Sequence, residues 1–427
     1  MPGPTRQQPA PIQVGYGELL RRNSDFRNLF AARAVSLCGD WFNTLAILAL
    51  LRHIGDSSAS AFAGVLILKT LPTVFAAPFA GVAADRFSRK RIMLAADLIR
   101  AALVLAMLSV TWVPHVGWLY LLVIGQTLTS TFFEPARTAL LPDLVRPGEL
   151  TAANAVGAAL WSSMLALGSA AGGLTTAWLG WEVALVVDAG TYLLSAAFLL
   201  RVREPAWDRA PVEAGSAVLA GFRQIAQGAA WVGSRPRVWS LALVKAGWSV
   251  AGGTTLVLTV LGERVHAGVA GPMIAVTALY VARGVGTGVG PFLARAASRS
   301  DPAAMERMIA VGYASGAVFY VAVAFAPNLG LAVLAVALAH LGGSTIWVFS
   351  TVRLQQLVPT HVRGRVFAFE NAAFTVVVAL STWLFGLAMD AEGASVPWVT
   401  SAVGWLLCVP ALAWTGRGLW LGWARDE

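Results

Sequence analysis

Charge is what this chain has least of. Of its 427 residues only 12% are Asp, Glu, Lys or Arg, where a soluble domain carries about 25%. Half of the usual solvating surface is missing, which excludes a water-exposed fold of this length. Cysteine is nearly absent: Cys38 and Cys408 both lie inside apolar stretches, with no spacing that suits a disulfide framework or a metal. The chain has no N-x-S/T sequon, no H-E-x-x-H, no G-x-S-x-G and no G-x-x-x-x-G-K-[ST]. The last three absences remove the metallopeptidase, serine-hydrolase and ATPase readings, and no cofactor or metal is expected. Residues 1–25 lack the apolar core of a signal peptide and are expected to form a cytoplasmic tail.

Apolar residues are what the chain has in excess, at 57% with 17 Trp. The net charge of +9 then reads as basic loops beside an anionic leaflet rather than as a nucleic-acid surface. Spanning roughly 30 Å of hydrocarbon takes about 20 helical residues. Twelve segments meet that length, at about 26–51, 61–84, 92–113, 117–140, 151–179, 182–202, 237–261, 270–295, 305–326, 329–352, 365–389 and 396–418. With the N-terminus inside, 24 of the 31 Lys and Arg fall on the cytoplasmic side, and only Arg52 and Arg264 fall outside. The positive-inside rule therefore puts both termini in the cytoplasm of a bacterial inner membrane. The expected divisions are a tail (1–25), a first six-helix bundle (26–202), a linker (203–236), a second bundle (237–418) and a tail (419–427). In the linker, Val218, Phe222, Ile225 and Ala229 recur at helical spacing, as in an amphipathic helix on the inner leaflet.

The chain also repeats itself. Pro142, Arg146 and Asn154 recur as Pro359, Arg363 and Asn371, 217 residues later throughout and at the same place in each half. Two six-helix halves in one orientation form a parallel repeat about an axis along the membrane normal, with a binding cavity between them. That points to a transporter.

"GVAADRFSRKR" (81–91) is the turn between spans two and three. It resembles the signature loop of the major facilitator superfamily, G-x-x-x-D-R-x-G-R-R/K, with Gly81, Asp85, Arg86, Arg89, Lys90 and Arg91 in place and Ser88 at the usual Gly. The stretches "DFRNLFAARAVSLCGDW", "PARTALLPDLVRPGELTAANA", "VLAGFRQI" and "RLQQLVPTHVRGRVFAF" are similar to the macrolide-efflux and enterobactin-exporter branch over nearly the whole chain. The resemblance implies an all-α membrane protein of twelve transmembrane helices in two six-helix bundles related by a pseudo-two-fold. It implies export of an amphipathic drug or secondary metabolite by a monomer, using proton antiport with protons, the substrate and the bilayer as its only partners. A dedicated siderophore exporter, an uncoupled facilitator, an importer and a lipid flippase are the alternatives. In the loop, Gly81 would allow close helix approach, and Asp85 would pair with Arg89 and a helix end across the bundle. Two departures from drug antiporters bear on coupling: Ser169 stands where Pro is expected in "ALGSAAGGL", and "LYLLVIGQT" lacks the early Arg of span four.

Ionisable groups within spans must face the bundle interior and find partners. Asp40 lies about 15 Å deep at 1.5 Å per residue, near the midplane. It reads either as a proton-coupling site or as half of an ion pair with Arg33 or Lys69. Glu134 and Arg137 are expected in the gating network with the 81–91 loop, while Asp97 and Arg100 form a local i, i+3 pair. Asp188 and Glu370 are expected within reach of water. His340 is either hydrogen-bonded packing or a proton relay. Lys245 and Arg283 suit an anionic substrate or a partner carboxylate. Trp41, Phe42, Trp161, Trp248 and Trp347 are candidates for an apolar cavity lining or for ordinary membrane packing. Gly168, Gly172 and Gly173, and Gly284 with Gly288, are small-residue surfaces for helix packing.

Overall fold

The computed structural model describes residues 15–205, 214–268, 271–299 and 301–423; the expectations for residues 1–14, 206–213 and 424–427 lie outside the described residues. Among the described residues, twelve helices are long and apolar enough to cross a membrane. Spans 1 to 6 are Ser24–His53, Ala59–Arg86, Arg89–Thr111, Val116–Leu144, Ala152–Leu179 and Trp181–Leu200. Spans 7 to 12 are Pro236–Arg264, Pro272–Ser298, Pro302–Ala324, Leu329–Leu357, Thr360–Asp390 and Val396–Trp420. Each end falls within about five residues of its expected place, the usual scatter of helix boundaries and a little more. Short polar residues set several starts. Asn23, Ser58, Ser88, Asp301 and Asn328 each accept a hydrogen bond from a first-turn backbone N–H of spans 1, 2, 3, 9 and 10, groups that have no partner within the helix.

An even number of crossings brings both ends of the chain to one face, the terminal face; the other is the opposite face. Within the first bundle span 1 packs on spans 5 and 6, and span 3 on spans 4 and 6. Within the second, span 10 packs on spans 8 and 9, and span 9 on span 12. The bundles meet along two seams, span 5 on span 8 and span 2 on span 11.

Two spans are interrupted near their middles. Span 2 breaks between Ala59–Leu68 and Leu71–Arg86, and span 7 runs as Pro236–Ala242, Val244–Ser249 and Thr254–Arg264. Carbonyls freed by a break need a new donor in hydrocarbon. Ser381 of span 11 donates to the Ser249 carbonyl at 2.8 Å, so the break in span 7 is sealed by its neighbour.

The expected glycine surfaces lie at these contacts. A Cβ on Gly172 would stand 2.8 Å from the Phe42 Cα, and one on Gly284 would stand 2.6 Å from the Ala166 backbone N across the span 5–span 8 seam. Gly173 faces Thr277 on the same seam, and Gly168 faces the Cys38 carbonyl. Gly288 is looser, with Ser162 at 3.6 Å as its nearest neighbour. Gly81 departs from expectation: a Cβ there would meet nothing within 4 Å.

The linker helix forms over Ala214–Gly233. The Val218 side chain lies outside the described residues. Rather than resting only on a bilayer surface, the helix touches both bundles, with Gly221 against Pro78 of span 2 and Gly228 against the Arg365 carbonyl of span 11.

Gly284→Leu should overpack the inter-bundle seam and cost about 1–3 kcal/mol, read as a lower melting temperature in detergent. Gly288→Ala on the same helix should leave it unchanged. Equal loss in both variants would show that the seam is not what Gly284 serves.

Candidate functional site

The polar groups of the first bundle gather where spans 1, 2, 3 and 6 converge. Asp40 accepts a hydrogen bond from the Tyr192 hydroxyl at 2.7 Å and lies 4.0 Å from the Arg100 guanidinium. Its side chain is 38% exposed. Arg100 itself is buried, ion-paired to Asp97 and stacked 4.3 Å from the Tyr192 ring. Ser195 donates to the other Asp97 oxygen at 2.6 Å. Lys69, at the break in span 2, donates to Asn43 and to Thr44, at 2.7 and 2.9 Å. Behind Gly39 lies Asp188, fully buried, with the Asn43 side chain beside it and, among the described residues, no cation within 4.0 Å. The cluster thus holds three carboxylates and two cations.

Three expectations are corrected here. Arg33 is not the partner of Asp40; it pairs with Glu134 at 3.3 Å, since spans 1 and 4 approach at that level while Asp40 turns toward spans 3 and 6. Asp188 does not reach water: it sits about 10 Å from the start of span 6 at 1.5 Å per residue, covered by span 1. Glu370 is likewise buried, at 2% exposure.

In the second bundle Lys245 and Glu370 form an ion pair at 3.1 Å, roofed by the Trp347 ring at 4.5 Å from the ammonium. His340 shares a 2.7 Å hydrogen bond with the Tyr320 hydroxyl and meets Trp248 edge-on at 6.0 Å. Arg283 donates to the Thr255 hydroxyl at 2.5 Å. Trp41 reaches across from span 1 to touch Tyr280 of span 8 at 6.1 Å between ring centroids.

The 81–91 loop is bound within its own bundle. Arg89 donates to Asp143 at 2.5 Å and to the Ala139 carbonyl at 2.9 Å, and Lys90 donates to the carbonyls of Leu200 and Val202. Ser88 caps span 3 and donates to Glu204, a role the usual Gly could not fill. Asp85 is not paired with Arg89. It is exposed, and among the described residues no hydrogen bond or ion pair reaches it. Nor do Glu134 and Arg137 join this loop: they pair with each other at 2.5 Å and, with Arg33 and Trp161, line a separate cavity of about 100 Å³.

The strongest charge cluster in the second bundle was not singled out from sequence. Glu306, fully buried, binds Arg353 and Arg417 at 3.1 Å and Arg237 at 3.3 Å, tying spans 7, 9, 10 and 12 together near the terminal face. A lone Glu one turn into an Arg-flanked span was the only signal.

Among the described residues, every hydrogen bond and ion pair between the bundles lies at the opposite face. Arg52 pairs with Glu263, Asp390 accepts from the backbone N–H groups of Ala59 and Ser60 at 2.8 and 2.7 Å, and Arg264 donates to the Ser57 carbonyl at 2.9 Å. The molecule is latched at that face.

Comparison with known proteins agrees with this geometry. The family model of the Major Facilitator Superfamily matches residues 29–382. The "Putative bacilysin exporter BacE" of Bacillus subtilis is 26% identical over 376 residues, covering 86% of this chain and 89% of that protein. Two shorter matches span under half of the relative. The "Uncharacterized MFS-type transporter YfiS" of Bacillus subtilis (strain 168) is 30% identical over 42% of this chain and 43% of its own length. "Macrolide efflux protein A" of Streptococcus pyogenes is 32% identical over 30% of this chain and 31% of its own length. Among solved structures, a bacterial homologue of the human lysosomal transporter Spinster, inward-facing and unoccupied, superposes with a TM-score of 0.71 at 15% identity over 95% of this chain and all of that one.

Glu370→Gln should leave the Lys245 charge buried without its counter-ion and destabilise the protein by about 3–5 kcal/mol. A Lys245→Met/Glu370→Met double variant should recover most of that loss, as read by thermal unfolding. A double variant as unstable as the single one would mean that the pair is not the source of the effect.

Proposed function

The chain belongs to the major facilitator superfamily and is a multi-pass membrane transporter rather than an enzyme, and from that membership we propose that it exports an amphipathic small molecule, a drug or secondary metabolite, by proton antiport. One observation carries the coupling: the Asp40–Asp188 cluster, with three carboxylates against Lys69 and Arg100, is one positive charge short. A proton supplies that charge. Asp40, open on one side and held by Tyr192 on the other, is the entry point, and Asp188 is the sealed acceptor behind it. Gaining or losing the proton changes what Tyr192 and Arg100 hold, and those two side chains join span 1 to spans 3 and 6.

The latch at the opposite face supports alternating access. It fixes one of two states, with the terminal face free to admit substrate. In the other state the Arg52–Glu263 and Asp390 contacts part, and the unpaired Asp85 and open Gly81 of span 2 meet span 11. The excess of Lys and Arg supports a cytoplasmic terminal face. Two relatives bear export in their names, one as a putative bacilysin exporter and one as a macrolide efflux protein, which supports outward transport from the cytoplasm across a bacterial plasma membrane by a single chain.

Purified protein in liposomes, with a pH-sensitive dye inside and an imposed proton gradient, tests this. On addition of macrolides, dyes and siderophores in turn, wild type should show substrate-dependent proton flux. Asp40→Asn and Asp188→Asn should both fall to the leak of protein-free liposomes. Flux retained in both variants would move coupling to Glu134 or His340. Substrate movement without protons would make the protein an uncoupled facilitator and overturn antiport.

A further inference from the structure

We propose that Arg283 is an anion-binding site and that the exported molecule carries a carboxylate or similar anionic group which docks there; this rests on the exporter reading above. The second bundle holds two cations within its spans that the sequence left equally open to an anionic ligand. The structure separates them. Lys245 is neutralised by Glu370 at 3.1 Å. Arg283 has only the Thr255 hydroxyl at 2.5 Å, and among the described residues no carboxylate lies within 4.0 Å of its guanidinium. Tyr280, Tyr320 and His340 lie within reach of its charge.

Arg283 differs in this from the buried Arg100 and Arg353. Arg100 has Asp97 and Arg353 has Glu306, as expected where hydrocarbon makes an unpaired charge costly. An arginine half-buried at about 17 Å from the opposite end of span 8, at 1.5 Å per residue, is at the midplane. A guanidinium carries five N–H donors in a planar fork that suits a carboxylate, and one bond to Thr255 leaves most of that fork unused.

Its position is also that of a ligand site. The next residue, Gly284, touches Ala166 across the span 5–span 8 seam, so Arg283 stands beside the line where the two bundles meet, the region in which transporters of this architecture hold substrate. Aromatic rings flank it. Trp41 and Tyr280 meet across the seam, and Trp248 stands against His340. A fixed cation beside aromatic surface selects a small acid with an apolar or aromatic body.

The test uses the full chain in lipid nanodiscs without any gradient, and equilibrium dialysis of a naphthyl propionate and its methyl ester. Wild type should bind the acid about tenfold or more tightly than the ester, the effect of one charge-assisted contact. Arg283→Gln should abolish that preference while binding the ester as before, which also shows that the variant is folded. Arg283→Lys should retain part of it. Equal affinity for acid and ester in wild type, an undiminished preference in Arg283→Gln, or no binding of the acid up to its solubility limit would each overturn the proposal. An intact acid preference with no proton-coupled transport in liposomes would instead sink the exporter reading alone. Proton-coupled efflux without an acid preference would sink only the anion site.

Discussion

A charge within hydrocarbon has to meet its counter-ion inside the protein, and in this chain it does so almost entirely within its own bundle. Arg100 finds Asp97, Lys245 finds Glu370, and Glu306 collects three arginines without any help from the other half. Each bundle is therefore electrostatically complete along most of its length and can move against its neighbour without exposing a buried charge. The ionic cost of motion is confined to one place, the latch around Arg52, Glu263, Arg264 and Asp390 at the opposite face. The Arg264–Asp390 pair there is half-exposed, and such a pair is worth less than a buried one.

Against that background the two exceptions stand out. Among the described residues Asp188 of the first bundle has no cation within 4.0 Å, and Arg283 of the second has no carboxylate within that distance, whereas each arginine around Glu306 has one. They lie on different sides of the seam, one in each bundle. What joins them mechanically is the seam itself, where Gly173 faces Thr277 and Gly284 faces Ala166 at distances that no larger side chain fits. Rocking about such a close contact changes the two faces in opposite senses.

The candidate site was only partly legible beforehand. A local pair such as Asp97 with Arg100 was readable because an i, i+3 spacing on a helix is itself a distance. The family resemblance implied Asp85 beside Arg89, yet the helix ends between them at Phe87, and Arg89 turns to Asp143 of span 4 instead. Partners on other spans were not readable at all. Asp188 was expected near water from its place along span 6, while its burial depends on which side of that helix span 1 covers. Glu306 was passed over because its three arginines come from three other helices.

Length and hydropathy determined by themselves that this is a membrane protein of twelve spans. Those properties are additive along the chain, and a bilayer reads them one segment at a time. The glycine surfaces and the 81–91 loop were visible for the same reason, as patterns within a helix or at its end. Which charge meets which, which carboxylate is sealed and which arginine is left with a hydroxyl alone were decided only when the twelve helices packed. Rotation of a helix about its axis leaves its hydropathy unchanged but moves every side chain on it, so pairing is a property of the assembled bundle.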